Sequence, residues 1–220
     1  MTDQNRASEI ACILKKKYPD AECTLNFKYP WQLMIAAILA AQCTDARVNI
    51  ITADLFEKYP DLEAFASASQ SDMEEDIRSC GLFRNKAKAI IASSGMLLER
   101  YAGEVPSDMD ALLRLPGIGR KIANLIMGDS FGVPAVVVDT HCARITRLLG
   151  LTSHSDPVRI ERDLMAILPK EIWTSWGHLM VAHGREICKA RQPVCEECPV
   201  NKLCLYALGV KTDLRGAGDA

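Results

Sequence analysis

The chain has 220 residues, 49% of them apolar and 25% charged, which is the composition of a globular protein with one large domain or two small lobes around a real core. The net charge of −2 and pI of about 6.1 exclude a strongly basic protein. They do not exclude a nucleic-acid binder, because phosphate contact depends on a local patch.

The opening residues have no apolar signal-type region, and the most apolar stretch, "WQLMIAAILAA", is too short to span a bilayer. A cytoplasmic protein without membrane contact is expected, and "WQLMIAAILAA" reads as a buried helix. Ser71 with Glu74 predicts a capping box. Gly81 after "EEDIRSC" predicts a helix end, as does Gly150 after "ARITRLL". Helical periodicity runs through "ALLRLPG", "KIANLIM" and "RIERDLMAIL", the last begun by Asp156 as N-cap and Pro157 at the first helical position. The β-branched run "PAVVV" reads as an extended buried connection. The tail "LRGAGDA" is expected to be disordered. The fold class is all-α.

A local positive patch lies between Arg114 and Arg147, where Arg114, Arg120, Lys121, Arg144 and Arg147 face only Asp129 and Asp139. Within it stands "LPGIGRKIANLI". Gly117 and Gly119 permit a tight turn between two helices, and the second helix then presents free N–H groups that suit a phosphate oxygen. Such a helix–hairpin–helix grips DNA through its backbone without reading bases. Lys121 stands in the first turn of that helix. As a surface lysine it is a phosphate contact; as a neutral amine it is a nucleophile for sugar C1′. A free lysine has a pKa of about 10.4. Arg120, the positive helix end and a partly dry cleft would favour the neutral amine. Asp139 closes "PAVVVD". It reads as the N-cap of the next helix, or as a carboxylate that stabilises positive charge on the ribose or activates the lysine.

Nine cysteines in a reducing compartment do not suggest a disulfide framework. Cys12, Cys23, Cys43, Cys80 and Cys142 are scattered and read mostly as small buried hydrophobes. Cys188, Cys195, Cys198 and Cys204 cluster, with six, two and five residues between them. Four thiolates so close hold a structural zinc ion or an iron–sulfur cluster. Only one pair has the CxxC spacing of a zinc knuckle, and a loop around a [4Fe–4S] cube fits at least as well. Either group would fix a loop that carries Lys189 and Arg191.

Taken together, "CTLNF", "AAQCTD", "LPGIGRKIAN", "VVDTHCAR" and "AHGREICKARQPVCEECP" with the final Cys204 resemble the endonuclease III family of the helix–hairpin–helix superfamily, over nearly the whole chain. The resemblance implies two helical lobes flanking a DNA-binding cleft. One is a six-helix domain with the hairpin, residues 23–132. The other is a discontinuous [4Fe–4S] cluster domain, residues 1–22 and 133–220. It implies a bifunctional glycosylase and abasic-site lyase, a monomer, acting on double-stranded DNA with an oxidised pyrimidine such as thymine glycol or an abasic site, and associated with the nucleoid through that DNA. Lys121 would be the Schiff-base nucleophile, Asp139 its carboxylate partner, and the four clustered cysteines the [4Fe–4S] ligands. DNA contacts would come from Gln42, Leu82, Leu115, Gly117, Gly119, Arg120, His141, Arg144, Lys189 and Arg191. Gln42 would fill the gap left by the flipped nucleotide and Leu82 would wedge the stack.

Ile122 departs from the family pattern, where threonine is common. So does Gln192, where the loop often carries another basic residue. An adenine glycosylase of the same superfamily is the nearest alternative. It needs a glutamate near Ala37, lacks the nucleophilic lysine and usually carries an extra C-terminal domain. A non-catalytic DNA-binding protein with the same fold is the other.

Overall fold

The computed structural model describes residues 2–210; the tail "LRGAGDA" lies outside them. The chain divides into two compact units, Cys23–Val133 and a discontinuous one made of Met1–Glu22 with Pro134–Ala220. Among the described residues there is no strand, and no helix is long and apolar enough to cross a membrane.

The continuous unit is built around α2 (Pro30–Leu39), in which every residue from Leu33 to Leu39 is buried. A helix apolar on all sides must be enclosed. Here α3 (Asp45–Lys58), α6 (Phe83–Tyr101) and α8 (Arg120–Phe131) pack on it. Between them lie α4 (Leu62–Ser67) and α5 (Gln70–Asp76), and α7 (Met109–Leu113) adds a seventh, five-residue segment to the six helices expected. Trp31, Phe56, Tyr59 and Phe65 form an aromatic cluster with tilted and edge-on ring contacts.

The discontinuous unit joins α1 (Asp3–Lys17) to α9 (Thr140–Leu149), α10 (Pro157–Ile167) and α11 (Trp173–Glu186). Its core includes Ile10, Leu14, Ile145, Ile160, Leu164, Trp176 and Met180. Arg6 on α1 ties the two pieces of sequence together. Its guanidinium donates to the carbonyls of Leu149, Gly150 (2.7 Å) and Leu203 (3.2 Å), so a buried cation satisfies the open end of α9.

Most helix starts follow local chemistry. Thr2, Thr44, Asp61, Ser69, Asp108, Asp139 and Asp156 each accept a backbone N–H from three residues on. The cap of α5 is therefore Ser69, which bonds the N–H of Asp72, and not Ser71. Gly81 does not end a helix either. α5 stops at Asp76, and the left-handed residue in that connection is Leu82, at φ 59°. Gly150 ends α9 at φ 72° as expected, and "PAVVV" lies outside any helix and is largely buried. Of the five scattered cysteines only Cys80 and Cys142 are buried; Cys23 and Cys43 are half-buried and Cys12 is exposed.

Burial pushes the Cys142 thiol up to about 12. At about pH 8, iodoacetamide should therefore modify Cys12 and leave Cys142 untouched until denaturant is added. Peptide mass mapping reads this, and equal modification of both thiols in the native protein would contradict the packing of α9.

Candidate active site and cysteine loop

In the continuous unit the hairpin turn joins α7 to α8. Leu115 is buried, so its side chain seats the turn in the core, and its carbonyl accepts the N–H of Ile118 at 3.1 Å. Gly117 has φ +80°, and a Cβ there would lie 2.7 Å from that of Ala89. Both facts demand glycine. Gly119 is the N-cap of α8 with no side chain to bond the first N–H groups, and a Cβ at that position would meet nothing within 4 Å. The first turn of α8 holds no acidic residue. Arg120 and Lys121 lie in it, both exposed. The arrangement offers an anion a helix N-terminus without a side-chain cap, its positive dipole end and two cations within one turn.

Gln42 and Leu82 lie far apart in sequence but on neighbouring turns. A Cβ on Gly81 would stand 3.6 Å from the carbonyl oxygen of Gln42. Both residues are exposed and both have positive φ, 53° and 59°. Among the described non-glycine residues only Ala102 shares this conformation. It is unfavourable for L side chains, and such strain tends to concentrate at functional positions. No sequence signal marks it, since neither glutamine nor leucine favours the left-handed region.

In the discontinuous unit, Asp139 caps α9. One carboxylate oxygen accepts the N–H of Cys142 at 2.7 Å and the other lies 3.3 Å from His141 Nδ1. The cap reading therefore holds, and half of the carboxylate faces an imidazole. The approach of α11 fixes both residues. A Cβ on Gly177 would stand 3.1 Å from the carbonyl oxygen of Val137, and one on Gly184 2.5 Å from the His141 ring.

The four clustered cysteines line one recess. Cys188 follows α11, Cys195 opens and Cys198 follows a 3-10 turn (Cys195–Glu197), and Cys204 follows another (Asn201–Leu203). Ile145, Leu148, Leu149, Ile187 and Val200 wall the recess. Around one zinc ion, Zn–S bonds of about 2.3 Å would bring thiolates to about 4 Å of each other. Among the described residues no three such side chains gather closely enough for a single ion. Four sulfurs around an apolar recess rather than around a point fit a polynuclear cluster. Burial raises the thiols of Cys188 and Cys195, and pushes Cys198 up to about 11, so loading must displace protons.

Three neighbours bond these sulfurs or their backbone. Arg144 donates to the Cys188 carbonyl at 2.7 Å and lies 3.7 Å from its sulfur. His183 Nε2 lies 3.5 Å from Cys198 Sγ, and its Nδ1 3.2 Å from the Tyr18 hydroxyl. Cys204 Sγ lies 3.4 Å from the Leu148 carbonyl. No sequence motif marks Tyr18 or His183, which lie 165 positions apart. Lys189 and Arg191 are exposed on the loop between Cys188 and Cys195.

Residues 35–170 match the family model of the HhH-GPD superfamily base excision DNA repair proteins, and residues 188–204 that of the iron–sulfur binding domain of endonuclease III. The chain is 48% identical over 202 residues to the endonuclease III of Synechocystis sp., covering 91% of this chain and 92% of that one. It is 46% identical to that of Bacillus subtilis over 200 residues, 90% of each. A solved structure of a trapped endonuclease III–DNA covalent intermediate superposes with a TM-score of 0.89 at 43% identity, covering 95% of this chain and 98% of that one. With the glycine hairpin and cysteine recess described above, these likenesses show that the chain belongs to the endonuclease III family of base-excision-repair DNA glycosylases and abasic-site lyases, which carry a [4Fe–4S] cluster.

Proposed function

We propose that this chain excises oxidised pyrimidines such as thymine glycol from double-stranded DNA and cuts the resulting abasic site by β-elimination, with Lys121 as nucleophile. The observation that carries the reading is the exposed Lys121 in the first turn of a helix whose N-terminus is uncapped and preceded by a glycine hairpin. Backbone phosphate accepts N–H groups from the Gly117–Gly119 turn and charge from Arg120, which fixes register without reading sequence. An oxidised pyrimidine has lost ring planarity and stacks poorly, so flipping it costs less than flipping an intact base. Leu82 wedges the stack and Gln42 occupies the gap. The Lys121 amine attacks C1′ as the base departs, and a Schiff base forms. The iminium acidifies the hydrogen at C2′; its removal expels the 3′ phosphate. Asp139 stabilises the cationic sugar and assists the lysine, and His141 orients its carboxylate.

Cys188, Cys195, Cys198 and Cys204 hold the cluster, which supplies a cross-link that fixes the loop. Lys189 and Arg191 meet phosphate from that loop. Arg144, already bonded to Cys188, braces it beside the DNA. The enzyme acts as a cytoplasmic monomer that reaches the nucleoid through its substrate.

Borohydride trapping on a duplex with one thymine glycol should give a covalent adduct with the wild type and none with Lys121→Ala, while DNA binding persists. Trapping by the variant would overturn the lysine assignment; trapping only on abasic duplex would overturn the substrate. Gly117→Ala should lower stability by about 1–3 kcal/mol in thermal unfolding, because it combines left-handed strain with the Ala89 contact. It should also weaken binding to unrelated duplexes equally, and base-dependent weakening would contradict a backbone grip. Cys198→Ser should lose the visible absorption of the cluster and much of its soluble yield, whereas Cys12→Ser keeps both. A brown, soluble Cys198→Ser protein would remove Cys198 from the ligand set.

A further inference from the structure

Two thiols that play no part in the cluster meet beneath the strained turns. Cys43 lies on the turn between α2 and α3, directly after Gln42. Cys80 lies on the turn between α5 and α6, two residues before Leu82. Their sulfurs are 3.7 Å apart. Neither residue is in a helix, so the backbone on both sides can adjust to a shorter separation. Cys43 is half-buried and Cys80 is buried. The two turns also touch through backbone, at Gly81 and the Gln42 carbonyl.

We propose that Cys43 and Cys80 form a peroxide-responsive dithiol site, whose oxidation ties the Gln42 turn covalently to the Leu82 turn. The more accessible sulfur reacts first. The Cys43 thiol gives up its proton and the thiolate attacks one oxygen of hydrogen peroxide; the O–O bond breaks, Cys43 sulfenic acid forms, and the leaving hydroxide takes that proton as water. The Cys80 sulfur then attacks the sulfenic sulfur and the S–O bond breaks. Water leaves with the Cys80 proton, and the disulfide forms. In sum two thiols and one peroxide give one disulfide and two waters. Burial pushes the Cys80 thiol up to about 11 against the opposing pull of Lys86 and Arg47, which suits a resolving thiol better than an attacking one.

A disulfide bond of about 2.05 Å must draw the turns together from their present contact. Gln42 and Leu82 move with them. The consequence for DNA rests on the proposed roles of those two residues. Displacement of positioning groups by about 1 Å can cost two orders of magnitude in an enzyme reaction, so oxidation should weaken binding and cleavage of lesion-containing duplex on the order of tenfold.

The test uses the cluster-loaded full chain, treated with hydrogen peroxide, alkylated to block free thiols and digested with trypsin. Cys43 and Cys80 fall in peptides 29–47 and 79–84, each with a single cysteine. The wild type should yield these two peptides as one linked species that dithiothreitol separates, and Cys80→Ser should not. Alkylation of both thiols after peroxide, or sulfinic acid on Cys43 without linkage, would overturn the dithiol site whatever the DNA assays show. Binding to an abasic-site duplex is measured on the same samples. Loss of binding in the wild type that dithiothreitol restores and Cys80→Ser lacks supports the coupling. A linked protein that binds unchanged, or a loss shared by Cys80→Ser, would overturn the coupling. Leu82→Ala, assayed without oxidant, separately tests the wedge.

Discussion

The close approach of α11 to the segment before α9 governs the discontinuous unit. Gly177 and Gly184 stand seven residues apart on one helix and so share a face. A methyl group at the first would press on the Val137 backbone, and at the second on the His141 ring. Absence of side chains at these points lets a helix lie against a buried run of valines and then against the opening turn of α9. Asp139 sits between those two contacts. Its position is therefore set by packing on either side and by its own cap bond to Cys142. The far end of the same helix starts the cysteine loop, where the His183 carbonyl accepts the N–H groups of Ile187 and Cys188. α11 therefore both packs against the segment that carries the carboxylate and leads into the loop.

The continuous unit solves a different problem, which is to hold exposed, unfavourable backbone in place. Lys86 is buried, and its ammonium donates to the Leu39 carbonyl at 2.8 Å. That carbonyl ends α2 just before the Gln42 turn. A cation at a helix C-terminus satisfies an orphan acceptor and favours the dipole. Lys86 also belongs to the first turn of α6, which Leu82 precedes. One hydrogen bond thus spans the elements that carry both left-handed residues. Strain persists where the surrounding structure over-determines it.

What could be read in advance follows from range. The Asp156 cap with Pro157, the Gly150 end and the buried α2 depend on a few adjacent residues, and each appears as expected. The start of α5 misled because two serines compete for it: Ser69 and Ser71 both have an acidic residue three positions on, and tertiary context chooses Ser69. Gly81 misled because its neighbour Leu82 takes the left-handed conformation instead. In the candidate site the glycine hairpin, Asp139 and the four cysteines carry recognisable patterns. Tyr18 and His183 carry none, because they meet from opposite ends of the chain. The contact between Cys43 and Cys80 is invisible too, because the 37 positions that separate them carry no motif linking the two turns.

The division of the chain also sets an order of assembly during synthesis. The continuous unit has all its helices once residue 133 has emerged, and its core can close early. α1 is made before that unit yet has nothing in its own unit to pack on until α9, α10 and α11 follow. The carbonyls that bind Arg6 include that of Leu203, near the end of the described chain. The first helix must wait, with an arginine destined for burial still in water, while a whole folding unit forms behind it. Loop-closure entropy grows only logarithmically with the intervening length, and a compact insert shortens the effective loop further. The late return of α1 is then a docking step between preformed pieces, and the residues that receive it leave the ribosome after the continuous unit.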